Sequence, residues 1–386
     1  MANGKERAPE EFLEPLPVRP FITAYRGSML VVTCLAILAV DFKVFPRRFA
    51  KAENWGTSLM DMGVGSFVFT AGLVAARPIL KAKHDRKSKT FSQQVSASIK
   101  HALPLLVLGL VRLYSVKGLD YAEHVTEYGV HWNFFFTLAL LPLSVALFDA
   151  LFAVTPSVLA LLSILVVGLY QALLESTDLK AYILTAPRTD LLSKNREGVF
   201  SFFGYLAIFL AGKALGLQIL PRYAASPEPL NTFVQRKRLL IQLVVWSGLW
   251  SLSFFVSTSY NYGVGLQVSR RLANLPYVVW VTAFNCAQIT LFCIVETLLF
   301  PAVYKATHSV SEQKEVERAT SWVLKAFNRN GLAVFLIANL LTGLINLTLD
   351  TLTMGQAESM GILLTYAGII TSLALVLDRF DLSIKI

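Results

Sequence analysis

Two residues of complementary chemistry, Asp41 and Lys51, bracket the run Asp41-Phe-Lys-Val-Phe-Pro-Arg-Arg-Phe-Ala-Lys51. Asp41 closes the first long apolar stretch of the chain. A carboxylate at that depth is partly desolvated, which moves it toward the range of a useful general base. Pro46 breaks the helix and turns the chain, and the turn gives Lys51 a way to fold back toward Asp41. A lysine so placed can neutralise a developing anion. Arg47 and Arg48 lie between them, and guanidinium forks suit phosphate. The competing reading of the arginines is interfacial anchoring, with the charged heads snorkelling to water.

Three further clusters carry polar groups that chemistry could use. Asp61 is followed by Gly63, Val64 and Gly65, small or slim positions that let an acyl chain or another helix approach the backbone. Asp61 itself is a candidate partner of Arg47 or Lys51. In Glu123-His124-Val-Thr-Glu127-Tyr-Gly-Val-His131-Trp-Asn133, helical spacing would put His124 beside Glu127 and Glu127 beside His131. A His–carboxylate pair serves as a base, and a His/Glu cluster is a weak metal signal that lacks a further ligand at a recognised spacing. Trp132 with Tyr128 equally suits an interfacial belt. The segment Arg188-Thr-Asp190-Leu-Leu-Ser-Lys194-Asn195-Arg196-Glu197 alternates acids, an amide and arginines. It suits a sugar–phosphate headgroup, or pairs with itself in water. Cys34, Cys286 and Cys293 all lie inside apolar runs and read as small core residues. No phosphate-cradling loop, serine elbow or zinc helix is present in the sequence.

The elements that position these residues are membrane helices. Apolar residues make up 55% of the 386 and charged residues only 16%, with a mean hydropathy of +0.56. A soluble domain averages about 25% charged. Ten apolar runs, near 22–40, 58–80, 102–116, 130–148, 154–174, 199–216, 239–256, 277–300, 331–349 and 361–377, mostly have the length of a helical span. The expected fold is all-α and polytopic, with residues 1–20 a solvated tail and 21–386 one membrane domain. The net charge of +10 is not a nucleic-acid footprint, because the cations gather at span ends and in loops. Lys and Arg crowd residues 77–100 and 303–329, which the positive-inside rule makes cytosolic. Both termini then lie in the cytosol, and the loop 41–57 that carries Asp41 and Lys51 is lumenal, together with 117–129, 178–198, 257–276 and 350–359.

Three segments, DFKVFPRRFAKAENWGTSLMDMGVGSFVF, EHVTEYGVHWNFFF and YILTAPRTDLLSKNREGVFSFFGYLAIFLAG, resemble in that order the eukaryotic GPI-anchor inositol acyltransferases, in a fungal form. The likeness runs from about residue 21 onward. It implies an endoplasmic-reticulum membrane enzyme that moves a fatty acyl group, usually palmitoyl, from acyl-CoA to the inositol of glucosaminyl-phosphatidylinositol. Acyl-CoA would be a co-substrate, with no permanently bound cofactor or metal, and other GPI-biosynthesis proteins are candidate partners. The resemblance makes Asp41 and Lys51 the catalytic pair. Arg47, Arg48, Asp61, Gly63, Val64, Gly65, His131, Asn133, Arg188, Asn195 and Arg196 are the expected substrate-binding set. It also implies about thirteen spans in the full-length family, the extra three ahead of residue 21. The rival readings are a lipid transporter or flippase using Asp41, Asp61 and Glu296, and an inactive assembly subunit.

Overall fold

The computed structural model describes residues 14–86, 90–117, 126–151, 154–222, 232–306, 308–382 and 384. Glu123 and His124 lie outside them, as does most of the N-terminal tail. Among the described residues there is no strand, and the helices are α1 Pro20–Ala39, α2 Leu59–His84, α3 Phe91–Lys117, α4 Phe134–Leu151, α5 Pro156–Ser176, the short α6 Leu179–Thr185 and α7 Leu191–Lys194, α8 Arg196–Ile219, α9 Thr232–Thr258, α10 Leu275–Leu299, α11 Ser309–Ala319, α12 Trp322–Arg329, α13 Gly331–Thr348 and α14 Gln356–Arg379. Nine of them are long and apolar enough to cross a membrane. The shorter apolar α4 occupies the remaining place among the ten runs. The protein is therefore an all-helical, polytopic membrane protein, as its composition demands.

The helix starts follow local chemistry. Pro20 opens α1 and Pro156 opens α5, where a missing N–H costs nothing. Thr155, Ser58 and Asn274 cap α5, α2 and α10, each side chain accepting a backbone N–H of its own first turn. These caps fix where the chain leaves the helices and enters the loops that carry the polar clusters.

The central element is α8, which is buried on all sides along most of its length. It packs directly on α2 through glycines: a Cβ on Gly212 would meet the Phe69 carbonyl, and one on Gly72 the Phe209 carbonyl. Such close backbone approach is how membrane helices gain dispersion contact where lipid offers no hydrophobic drive. The same two helices with α4, α5, α9 and α10 form the larger core. A second core joins α1, α12, α13 and α14 around Leu30, Cys34, Phe327, Val334 and Tyr366.

Several buried polar groups are paired between helices, which is what hydrocarbon surroundings favour. Tyr25 on α1 donates to Asn285 Oδ1 on α10 at 2.6 Å and lies 3.1 Å from the Thr70 hydroxyl on α2. Lys213 on α8 reaches both oxygens of Asp149 on α4 at 2.5 Å. At one end of the bundle, Glu296 accepts from the Phe21 N–H at 2.5 Å and from Tyr304 at 2.7 Å. At the other end lie Asp41, the start of α2 and the loop before α10.

Candidate functional site

The polar end is organised by the loop that precedes α10. Asn274 caps that helix and also receives the Ser269 N–H at 3.0 Å, while its amide donates to the Gln267 carbonyl at 2.8 Å. Ala273 adopts φ +45° to close the turn. This tight structure presents Arg270 and Arg271 side by side, both largely buried.

Arg270 donates from Nε to Asp61 Oδ1 at 2.7 Å and from Nη2 to Glu127 Oε1 at 3.4 Å. Lys51 Nζ reaches the same Glu127 oxygen at 2.7 Å. Burial alone would weaken the Arg270 proton affinity, but the fields of Glu127, Tyr205, Tyr128 and Asp61 outweigh it and hold the guanidinium well above its ordinary pKa. Burial also pushes the Tyr128 phenol well up, so it stays a neutral donor. Arg271 bonds Asn54 Oδ1 at 2.8 Å and Glu197 Oε1 at 2.9 Å, and Arg188 grips the same Glu197 at 2.5 and 3.0 Å. The polar end is therefore a layer of shared ion pairs that ties four loops together.

The first motif is split across that layer. After α1 the chain turns, and a short 3-10 helix covers Arg47–Phe49. Arg47 donates to the Val40 carbonyl at 2.8 Å, and Arg48 lies over the Phe49 ring. Both arginines remain exposed, with neither on Asp61. Asp41 accepts from Asn346 Nδ2 on α13 at 2.8 Å. Among the described residues no ion pair joins Asp41 to Lys51. Glu127 takes the Lys51 ammonium, and Asp41 takes Asn346.

Asp61 is fully buried and takes Arg270 as its cation, instead of the expected Arg47 or Lys51. Its second oxygen accepts the Ala52 N–H at 3.0 Å and the Ser58 hydroxyl at 2.7 Å. A Cβ on Gly65 would strike Val281 and Tyr277 of α10, so that glycine serves helix packing and not an open groove. Gly63 faces Thr33, with the nearest atom 4.0 Å from a built Cβ, and Val64 packs on the larger core.

The other expected residues divide between tether and lining. Arg196 spends its donors on the carbonyls of Ile183 and Ala186, at 2.9 and 2.5 Å, and is a buried tie. Asn133 is buried too, donating to the Gly109 carbonyl at 2.9 Å and accepting the Phe135 N–H at 3.1 Å. Asn195 accepts the N–H groups of His131 and Trp132 at 2.8 and 2.9 Å, which holds the 126–132 loop over α8. That loop, Asn195 and the facing sides of α3 and α4 enclose a groove of about 310 Å³. Leu106, Leu113, Phe136 and Leu140 make its apolar length, with His131, Trp132 and Asn195 also in its wall.

Arg270, Arg271 and Asn54 are not among the residues that the sequence singles out for binding. The available signal was the pair of adjacent arginines just ahead of a span, on the side where the topogenic rule disfavours cations.

A family model described as GWT1 matches residues 2–377. The chain belongs to the GWT1 family. Among its curated relatives is the GPI-anchored wall transfer protein 1 of Gibberella zeae, 54% identical over 390 residues that cover 100% of this chain and 78% of the relative. The protein of that name from Aspergillus fumigatus is 56% identical over 378 residues, covering 96% of this chain and 74% of the relative. The Yarrowia lipolytica protein is 46% identical over 369 residues, covering 95% and 74%. For this GWT1-family chain, the likeness extends through all three segments on which the sequence resemblance rested.

Proposed function

We propose that this GWT1-family protein acts in GPI-anchor biosynthesis as an acyl-CoA-dependent O-acyltransferase of the endoplasmic-reticulum membrane. It transfers a palmitoyl-type chain to the inositol hydroxyl of glucosaminyl-phosphatidylinositol, with the polar end facing the lumen. The observation that carries this reading is the junction of two unlike surfaces. The loop 126–132 supplies Glu127 to the charged layer and His131 and Trp132 to the apolar groove. An acyl thioester and a sugar–phosphate lipid together require such a junction, because one reactant is a long apolar chain and the other presents hydroxyls and phosphate. The relatives' names and the sequence resemblance support the choice of pathway.

In the reaction, Asp41 takes the proton of the inositol hydroxyl as its oxygen attacks the thioester carbonyl. The oxyanion forms toward the Lys51 ammonium. Collapse breaks the C–S bond, the new C–O ester bond remains, and the CoA thiolate leaves with the proton returned from Asp41. Because Asp41 and Lys51 keep separate protein partners, they meet on the substrate and not on each other. The acyl chain lies along Leu106, Leu113, Phe136 and Leu140. Arg47 and Arg48, exposed beside Asp41, face the headgroup phosphate. Asp61 and Glu296 are both occupied by protein donors, which counts against their use as transported-ion sites.

The test is transfer of labelled palmitoyl from palmitoyl-CoA to glucosaminyl-phosphatidylinositol by the purified full chain. Wild type turns over, and Asp41→Asn and Lys51→Met each lose at least about 100-fold in kcat at normal protein level, in line with the loss of a general base or an oxyanion donor. Near-normal turnover in Asp41→Asn moves the base elsewhere, with His131 next in line. Absence of transfer by the wild-type chain refutes the enzyme reading.

A further inference from the structure

Lys51 sits on a loop without regular structure between the short helix Arg47–Phe49 and the Ser58 cap of α2. Left alone, such a loop samples many positions, yet an oxyanion donor works only within a few tenths of an ångström of its target. The structure fixes it from three sides. Gly56 donates its N–H to the Val268 carbonyl at 2.8 Å, and Asn54 receives Arg271 at 2.8 Å. Asp61 Oδ2 accepts the N–H of Ala52, the residue next to Lys51, at 3.0 Å. Glu127 then takes the Lys51 ammonium itself at 2.7 Å. Arg270 is the common member, bonded at once to the carboxylate that holds the backbone and the one that holds the side chain.

We infer that Glu127 and Arg270 are positioning residues for Lys51, with Glu127 aiming the ammonium and Arg270 holding Glu127 and, through Asp61, the backbone at Ala52. The inference rests on the acyl-transfer reading of Lys51. Neither residue touches the reacting atoms; both act through the lysine. Arg270 is buried and Glu127 only partly so, which makes Glu127 the safer place to perturb. Glu127→Gln removes the charge that draws the ammonium while keeping nearly the same shape. Glu127→Asp keeps the charge and shortens its reach by one methylene.

The experiment is steady-state transfer of labelled palmitoyl by the full chain in membranes, with Glu127→Gln, Glu127→Asp, Lys51→Met and Lys51→Met/Glu127→Gln compared at equal protein level. Glu127→Gln should lose about 10–100-fold in kcat, the scale of a misplaced catalytic group, with the palmitoyl-CoA KM within about twofold of wild type. Glu127→Asp should recover part of that loss. In the Lys51→Met background, Glu127→Gln should cost nothing further, because a residue that acts only through Lys51 has nothing left to position. A merely structural Glu127 would cost the same factor in both backgrounds, and that result overturns the inference. Wild-type kcat in Glu127→Gln together with a disabled Lys51→Met overturns the positioning role alone. Wild-type kcat in Lys51→Met overturns the catalytic reading of Lys51 and the inference with it.

Discussion

Asp61→Asn probes the keystone of the polar layer. The wild-type carboxylate is fully buried and receives three donors: Arg270 Nε at 2.7 Å, the Ser58 hydroxyl at 2.7 Å and the Ala52 N–H at 3.0 Å. An amide offers one accepting oxygen. Its NH₂ must turn toward either the guanidinium or the pair of Ser58 and Ala52, and both sides present donors. The buried Arg270 also loses its closer counter-charge and, among the described residues, keeps Glu127 at 3.4 Å. Removing one member of a buried ion pair costs about 3–5 kcal/mol. With about 2.1 cal/mol/K of unfolding entropy per residue over 386 residues, that corresponds to a midpoint drop of about 4–6 °C.

The assay is thermal unfolding of the detergent-solubilised chain, followed by the loss of its monodisperse elution. Glu315→Gln is the control, because Glu315 pairs with Arg318 at 2.9 Å on the exposed face of α11. A pair of that kind contributes about 0–1 kcal/mol. The double variant Asp61→Leu/Arg270→Met should be less destabilised than either of its single changes, since it leaves no unpaired charge and Glu127 retains Lys51. A midpoint for Asp61→Asn that matches the Glu315→Gln control, or a double variant that merely sums its singles, would refute the argument that paired burial holds this layer.

Three other outcomes are expected. Arg47→Ala and Arg48→Ala should raise the KM for glucosaminyl-phosphatidylinositol with little change in kcat, and Lys at either position should recover only part of the affinity, because an ammonium lacks the bidentate fork; an unchanged KM makes both arginines interfacial anchors. A cysteine replacing Lys83, exposed near the end of α2, should react with a membrane-impermeant thiol reagent from the cytosolic side of sealed microsomes, and one replacing Thr177, exposed after α5, should react only after permeabilisation; the reverse pattern overturns the lumenal site. Leu140→Trp, which adds bulk inside the 310 Å³ groove, should shift the acyl-CoA preference toward shorter chains, and an unchanged chain-length profile would exclude the groove from acyl binding.

The membrane fold was legible because it follows from one constraint. Each span must satisfy its own backbone bonds, so its apolar length appears directly in the sequence, as for 277–300 and the observed helix Leu275–Leu299. The partners in the polar layer were not legible, because ion pairing between loops depends on how distant helices pack. Asp61 and Arg270 are 209 positions apart, and Arg271 meets Asn54 across 217. A nearby cation such as Lys51 is the natural sequence-level partner for Asp61, yet the pre-α10 loop delivers a guanidinium that no local spacing announces. Arg196 misleads in the opposite way. It reads as an exposed binding residue, but the turn at Ala186 and Pro187 brings backbone carbonyls to it.

Asp41 and Lys51 have different protein partners, and this bears on how any reaction that uses both is assembled. Asp41 is tied to the second core through Asn346 on α13. Lys51 is tied through Glu127 and Arg270 to elements of the larger core, since Tyr277 of α10 donates to the Asp61 carbonyl at 2.9 Å and Asp61 opens α2. The two groups are therefore tied to different cores, which meet where α1 packs on α2 and α10. That seam is held by the Tyr25–Asn285–Thr70 cluster in its middle and by the Glu296–Phe21 bond at its far end. Close-packed helices transmit small shifts because they cannot compress. A change in the seam, remote from both residues, is therefore expected to reach the two through the helices that carry them while leaving each one's own partners in place.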